Sequence, residues 1–228
     1  MRTAQDTKAD IVMTEGIQNM SRRFQIGLNT KKHKIEDIKT RLCSGEEVLP
    51  IYFSYPEYHV GLHSKLFSTK VADIDQQCLP DIFWGEDQCI NALFFQKAEK
   101  VALIPERLYN YRAGGPSHSI QPNLAVEMGR FYHWRKQFII ENNMDWSLIA
   151  ASVVVTLHTF KSLCGGNYID GDEAYQALKE AIDDMNQLCP KLAVRDFFNS
   201  LKGKKRVWVE KDKEPLGIKL KQMVLRWM

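Results

Sequence analysis

Apolar positions recur along the chain with two periods, and the change from one to the other divides it. Ile11, Val12 and Met13 form a continuous apolar run inside Asp10–Glu15, which reads as a buried strand bounded by Gly16. The residues before it, Arg2 to Lys8, read as the last turns of a helix, so the chain opens like a piece of a longer protein. Arg23 to Leu28 reads as a second, half-buried strand. Ile35, Ile38 and Leu42 keep helical spacing toward Gly45, and Pro50 to Pro56 is aromatic and irregular. His59 to Phe67 is strand-like or extended, with Ser68 placed to cap a short helix after it. Asp81 to Gly85 is a loop. Ile90, Leu93, Phe94 and Lys97 then fall at helical spacing, which sets Glu86 and Asp87 at a helix N-terminus. Lys100 to Ile104 and Leu108 to Arg112 are short strands joined by Pro105-Glu106-Arg107.

Past Gly114-Gly115-Pro116 the period becomes helical throughout. Leu124, Met128, Phe131, Trp134 and Phe138 mark a long amphipathic helix, and Trp146 to Leu163 a second, stopped by Gly165-Gly166. A third is capped by Asp172, carries Ala174, Leu178, Ala181, Met185 and Leu188 on one face, and ends at Pro190. Leu192 to Leu201 and Leu216 to Met228 complete an all-helical second half. The pattern predicts a boundary in the loop from Gly114 to Asn123, giving portions 1–120 and 121–228.

Composition narrows the choices. Of the 228 residues, 44% are hydrophobic, enough for a packed core and against global disorder. A net charge of only +3 gives no reason to expect a nucleic-acid partner. The five cysteines are odd in number and none lies at CxxC spacing, which disfavours a disulfide framework or a zinc site and suits reduced thiols in the cytoplasm. Residues 2 to 10 are polar, unlike a signal peptide, and the longest apolar run, Leu148 to Leu157, is too short to span a membrane.

Chemistry concentrates at Gly85-Glu86-Asp87. A carboxylate at a helix N-terminus is held by free backbone N–H groups and the helix dipole, and can accept a proton from an attacking hydroxyl. Taken alone, the pair is better explained by helix capping. Its surroundings add Gly61-Leu62-His63-Ser64-Lys65-Leu66-Phe67 upstream, and Leu108-Tyr109-Asn110-Tyr111-Arg112 and Ser117-His118-Ser119-Ile120 downstream. That order resembles family 2, GT-A-type glycosyltransferases. An extended Lys-Leu-Tyr segment, a Glu-Asp pair opening a helix, a strand, a Leu-Tyr-x-Tyr-Arg strand and a Ser-Ile close follow one another there. Lys8-Ala9-Asp10-Ile11-Val12 is also similar to the strand after that family's metal site, so the resemblance runs from Lys8 to Ile120.

The resemblance implies an α/β fold: part of a GT-A-type mixed sheet with flanking helices, followed by a helical C-terminal region. It implies an inverting transfer of a sugar from a nucleotide-diphosphate sugar to a hydroxyl acceptor, in bacterial surface polysaccharide or lipopolysaccharide synthesis. Asp87 matches the catalytic base and Glu86 its neighbour. Arg112 matches the residue facing the donor diphosphate, where a bidentate guanidinium suits. Gly61 and Lys65 fall on the acceptor side, and His118 is a candidate metal ligand. The complete enzyme would use manganese or magnesium on the diphosphate. Phe67 stands where the family commonly has Tyr, and His63-Ser64 replace bulkier residues, which leaves acceptor preference open.

The family's Asp-x-Asp site and nucleotide-binding strands are expected before Ala9, so the chain reads as the acceptor-side half, inactive by itself. Asp73-Ile74-Asp75 follows a short helix, and Asp170-Gly171-Asp172 reads as a turn and an N-cap. The rival reading is a non-catalytic binding protein that keeps this scaffold and binds a partner with its helical half. Lys202 to Lys213 reads as a charged linker. Leu216 to Met228, with Lys219, Lys221 and Arg226 beside its apolar face, suits either packing on the body or peripheral contact with the inner membrane face.

Overall fold

The structure is a computed structural model, and it describes residues 2–14, 17–19, 40–54, 61–104, 109–111, 123–164 and 167–209. The fold is mixed α/β, with a small mixed sheet and flanking helices. The chain divides into two compact units, Met1–Leu79 with Asp87–Ser119, and Pro80–Glu86 with Ile120–Met228.

In the first unit, α1 (Arg2–Thr7) leads into β1 (Ile11–Thr14). All four β1 residues are buried, as their unbroken apolar run requires when both faces of a strand are covered. Three strands join it: β3 (Arg41–Cys43), β4 (Lys65–Phe67) and β5 (Val101–Ile104), in the order β3-β5-β1-β4. The β1–β5 pair is parallel, with Ile11 opposite Val101, and the β1–β4 and β3–β5 pairs are antiparallel. The short strands β2 (Ile17–Asn19) and β6 (Tyr109–Tyr111) form a separate parallel pair.

Ala4 of α1 and Ala9 pack against Val12, Ala102 and Ile104 of this sheet, and two further helices pack on one another. Helix α2 (Gly45–Ser54) opens with a reciprocal capping box: Glu47 N–H donates to Ser44 Oγ at 3.2 Å, and Ser44 N–H donates to Glu47 Oε2 at 2.7 Å. After α3 (Thr69–Ala72) and a 3-10 turn at Gln76–Cys78 comes α4 (Glu86–Lys97). Tyr52 of α2 packs edge-on against Phe95 of α4 at 5.4 Å, and its hydroxyl donates to Gln88 O at 3.2 Å. A Cβ on Gly45 would lie 1.8 Å from Phe95 O, so the α2 backbone meets α4 where only glycine fits.

Two expectations fail in this unit. The aromatic stretch from Pro50 is helical through Ser54, because the capping box and the burial of Tyr52 and Phe53 outweigh the N–H that Pro50 lacks. The helix expected to reach Leu42 cannot, since Arg41–Cys43 pairs with β5; its earlier part lies outside the described residues, as does Arg23–Leu28. Within Gly61–Phe67, the described part of His59–Phe67, Lys65–Phe67 is strand, preceded by a turn in which Ser64 takes φ 63°. Ser68 stands at the N-cap of α3 without a side-chain cap bond.

The second unit is built on α5 (Leu124–Glu141), α6 (Ser147–Leu163) and α8 (Lys179–Leu188), with α7 (Gly171–Ala177) and α9 (Ala193–Leu201) alongside. Met128, Tyr132, Leu157, Phe160, Ile182, Met185 and Phe198 form its core. The half expected to be all-helical also holds an antiparallel ribbon, β7 (Asn167–Ile169) with β8 (Val207–Val209). Both strands have three residues, too short for a period to show. The cap of the third predicted helix is Asp170, whose carboxylate accepts from Glu173 N–H at 3.0 Å, and that helix breaks at Leu178 into α7 and α8. Asp172 instead accepts from Gly203 N–H at 2.7 Å. The basic run at Lys202–Arg206 is thereby a pinned turn into β8, not a free linker; Leu216–Met228 lies outside the described residues. Among the described residues no helix is long and apolar enough to cross a membrane.

Candidate functional site

The N-terminus of α4 is set by Gly85, at φ 92°, a conformation side-chain-bearing residues rarely take. The loop before it is fastened to α5. Glu127 Oε2 accepts from Phe83 N–H at 2.5 Å and from Trp84 N–H at 3.2 Å, and Arg130 Nη1 donates to Asp81 O at 3.0 Å. Trp84 packs edge-on against Phe131 at 5.4 Å, and a Cβ on Gly85 would come within 2.8 Å of the same ring. Glu86 is exposed and Asp87 half-buried in the first turn of α4.

Strand β4 receives one face of α4. Lys65 and Phe67 point to the same side of a strand, and Phe67 meets Phe94 of α4 edge-on at 4.7 Å. Asp87 precedes Phe94 by two helical turns, which carries its carboxylate along the same helix face toward Lys65. The two charges interact. Burial pulls the Lys65 ammonium down to about 8, and the Asp87 carboxylate opposes that fall. His63 is lowered by burial and then by Lys65, again against Asp87.

The turn ahead of β4 completes the cluster. Lys65 Nζ donates to Gly61 O, and Ser64 O accepts from Thr14 N–H of β1 at 3.0 Å. Gly61 is buried, and a Cβ there would stand 2.0 Å from His63 Cε1, so the imidazole lies directly against its backbone. Gly61, His63, Lys65 and Asp87 thus form one half-buried group: a carboxylate, an ammonium with a weakened hold on its proton, and an imidazole that burial keeps toward its neutral form. Such a set can bind a hydroxyl-bearing ligand, donate to its oxygens, and accept a proton at the carboxylate.

Of the residues singled out in the sequence, Asp87, Lys65 and Gly61 come together, and Glu86 sits one position ahead at the surface. Arg112 and His118 lie outside the described residues. His63 was noticed only as a departure from the family pattern. Its spacing of two from both Gly61 and Lys65 hinted at a shared side, but the turn at Ser64 removes a simple strand alternation.

No group of three His, Cys, Asp or Glu side chains among the described residues could hold a metal ion. Asp75 accepts from Gln77 N–H at 2.9 Å, and Asp170 and Asp172 both accept from backbone N–H groups, as the turn-and-cap reading requires. No family model matches the chain, and no curated protein matches it.

Proposed function

We propose that this chain supplies the acceptor side of an inverting, sugar-nucleotide-dependent glycosyltransferase. The observation that supports the reading is Asp87, in the first turn of α4, beside Lys65 and His63. In this reading an acceptor hydroxyl lies against Asp87, which takes its proton as the oxygen attacks the anomeric carbon. Lys65 and His63 hold the acceptor's other oxygens, and the Lys65 amine, bound to Gly61 O, keeps the turn in place. Glu86 helps orient the acceptor from the exposed side of the helix start. Arg112, by the resemblance, faces the donor diphosphate. The nucleotide-binding strands and their Asp-x-Asp metal site would come from a segment joined to this one.

The test has two arms. The purified chain is titrated with oligosaccharide acceptors and followed by saturation-transfer NMR, and separately incubated with a panel of sugar nucleotides, manganese and the same acceptors. Acceptor binding that weakens in Lys65→Ala, without nucleotide release, is the expected result. Metal-dependent transfer well above blank would place the donor site within this chain. Absence of acceptor binding across the panel would remove the reading and favour a scaffold used for partner binding.

A further inference from the structure

The β7–β8 ribbon shows its two faces to different surroundings. Val209 is fully buried, and Ile169 and Val207 pack on the core of the second unit. The opposite face carries Tyr168 and Trp208, directly paired across the ribbon with their rings 4.8 Å apart, edge to face. They are 70% and 51% exposed, large values for aromatic rings. The turn into β8 brings Lys202, Lys204, Lys205 and Arg206, all exposed, to the same ribbon.

That turn is built, not loose. Gly203, at φ 80°, donates its N–H to Asp172 Oδ1; Lys204 N–H donates to Leu201 O at 3.1 Å, and Lys204 O accepts from Asp172 N–H at 3.1 Å. Lys202 Nζ lies over the Tyr175 ring at 5.8 Å. The nearby carboxylates of Asp170 and Asp172 are turned onto backbone N–H groups, leaving exposed Glu173 as the third acid. A fixed Tyr–Trp pair flanked by exposed Lys and Arg is the composition that settles at a bilayer interface, rings at the headgroup level and cations on anionic lipid.

We infer that Tyr168 and Trp208, with Lys204, Lys205 and Arg206, form a contact surface for an anionic lipid bilayer. The rings bury their apolar area among the headgroups while the cations meet lipid phosphate. An edge-to-face pair offers no flat platform for stacked bases or sugars, which favours the lipid interface over a nucleic acid or glycan.

The test is flotation of the full chain with phosphatidylglycerol vesicles and with phosphatidylcholine vesicles. The chain is expected to float with the anionic vesicles alone, less so as salt rises. Tyr168→Ser/Trp208→Ser and Lys204→Gln/Lys205→Gln/Arg206→Gln should each lower the partition coefficient by about tenfold. All these side chains are exposed, so circular dichroism of the variants should match the parent. Quenching by brominated-acyl lipid identifies the ring that enters: it should be lost in Trp208→Phe and kept in Trp227→Phe. Quenching lost only in Trp227→Phe, unaltered flotation of both variants, or equal binding to a soluble polyanion such as heparin would each overturn the inference.

Discussion

Removing the Asp184 carboxylate should weaken the second unit by an amount that depends on whether Tyr132 keeps its hydroxyl. Asp184 Oδ2 accepts from Tyr132 Oη and from Lys136 Nζ, both at 2.6 Å, and Lys136 also reaches Glu180 at 3.2 Å. Tyr132 is fully buried, while Lys136 and Asp184 keep only 21% and 15% side-chain exposure. In Asp184→Ala the ammonium retains Glu180, so the lost charged bond costs about 1–2 kcal/mol; the Tyr132 hydroxyl, left without its acceptor, adds about 1–3 kcal/mol. A total of about 2–5 kcal/mol follows, against about 1–1.5 kcal/mol for Tyr132→Phe. In the double variant no hydroxyl is stranded, so the loss should fall short of the sum of the singles by about 1 kcal/mol or more. Urea unfolding of the four proteins measures the cycle. Losses that add to within about 0.5 kcal/mol would refute the coupling.

The same network sets an alkaline limit. Burial, and then the bond to Asp184, hold the Tyr132 hydroxyl far above its ordinary 10.0. Burial works against the Lys136 ammonium, but the bonds to Asp184 and Glu180 raise it above 10.5. Both groups hold protons in the folded state that the unfolded chain releases. Their contribution is therefore whole below about pH 10 and declines as pH climbs further. Asp184→Ala should show a shallower alkaline decline than the parent.

Three more outcomes are expected. On the proposed transferase reading, Asp87→Asn should lower kcat by about 10²–10⁴-fold with donor affinity kept, and near-parental kcat would take Asp87 off the reaction path. Lys65 lies below its ordinary 10.5 when folded, so stability should rise as pH moves from about 8 to 10.5, and thermal melts of Lys65→Met should lack that rise. Gly129→Ala would set a Cβ 2.1 Å from Ala177 O, so α5 and α7 must part; a loss of about 1–3 kcal/mol is expected, and a gain from better helix propensity would contradict the close approach.

Where period or punctuation was strong, the sequence foretold the structure. Helices α5 and α6 were legible from long apolar repeats, β1 from Ile11–Val12–Met13, and the start of α4 from Gly85 ahead of Glu86-Asp87. Misses came where three residues pair with a distant strand, as in β3, β7 and β8, since register with a remote partner leaves no local period. Pro50 misled because its local penalty is visible in sequence, whereas the burial of Tyr52 and Phe53 that offsets it is tertiary. At the candidate site, Asp87 and Lys65 could be named separately. That a single helix face brings them together, with His63 pressed on Gly61, required the packing of α4 on β4.

The central place of β1 in its sheet sets a problem of timing during synthesis. Its antiparallel neighbour β4 begins at Lys65, and its parallel neighbour β5 only at Val101. At about 5–20 residues per second, β1 leaves the ribosome roughly 5–18 s before β5 exists to flank it. For that interval Ile11, Val12 and Met13, which end wholly buried or nearly so, form an apolar strand that has no partner until β4 emerges and one open edge until β5 does. Nascent chains halted before Val101 should therefore engage chaperones that bind extended apolar segments, and release them once β5 has emerged.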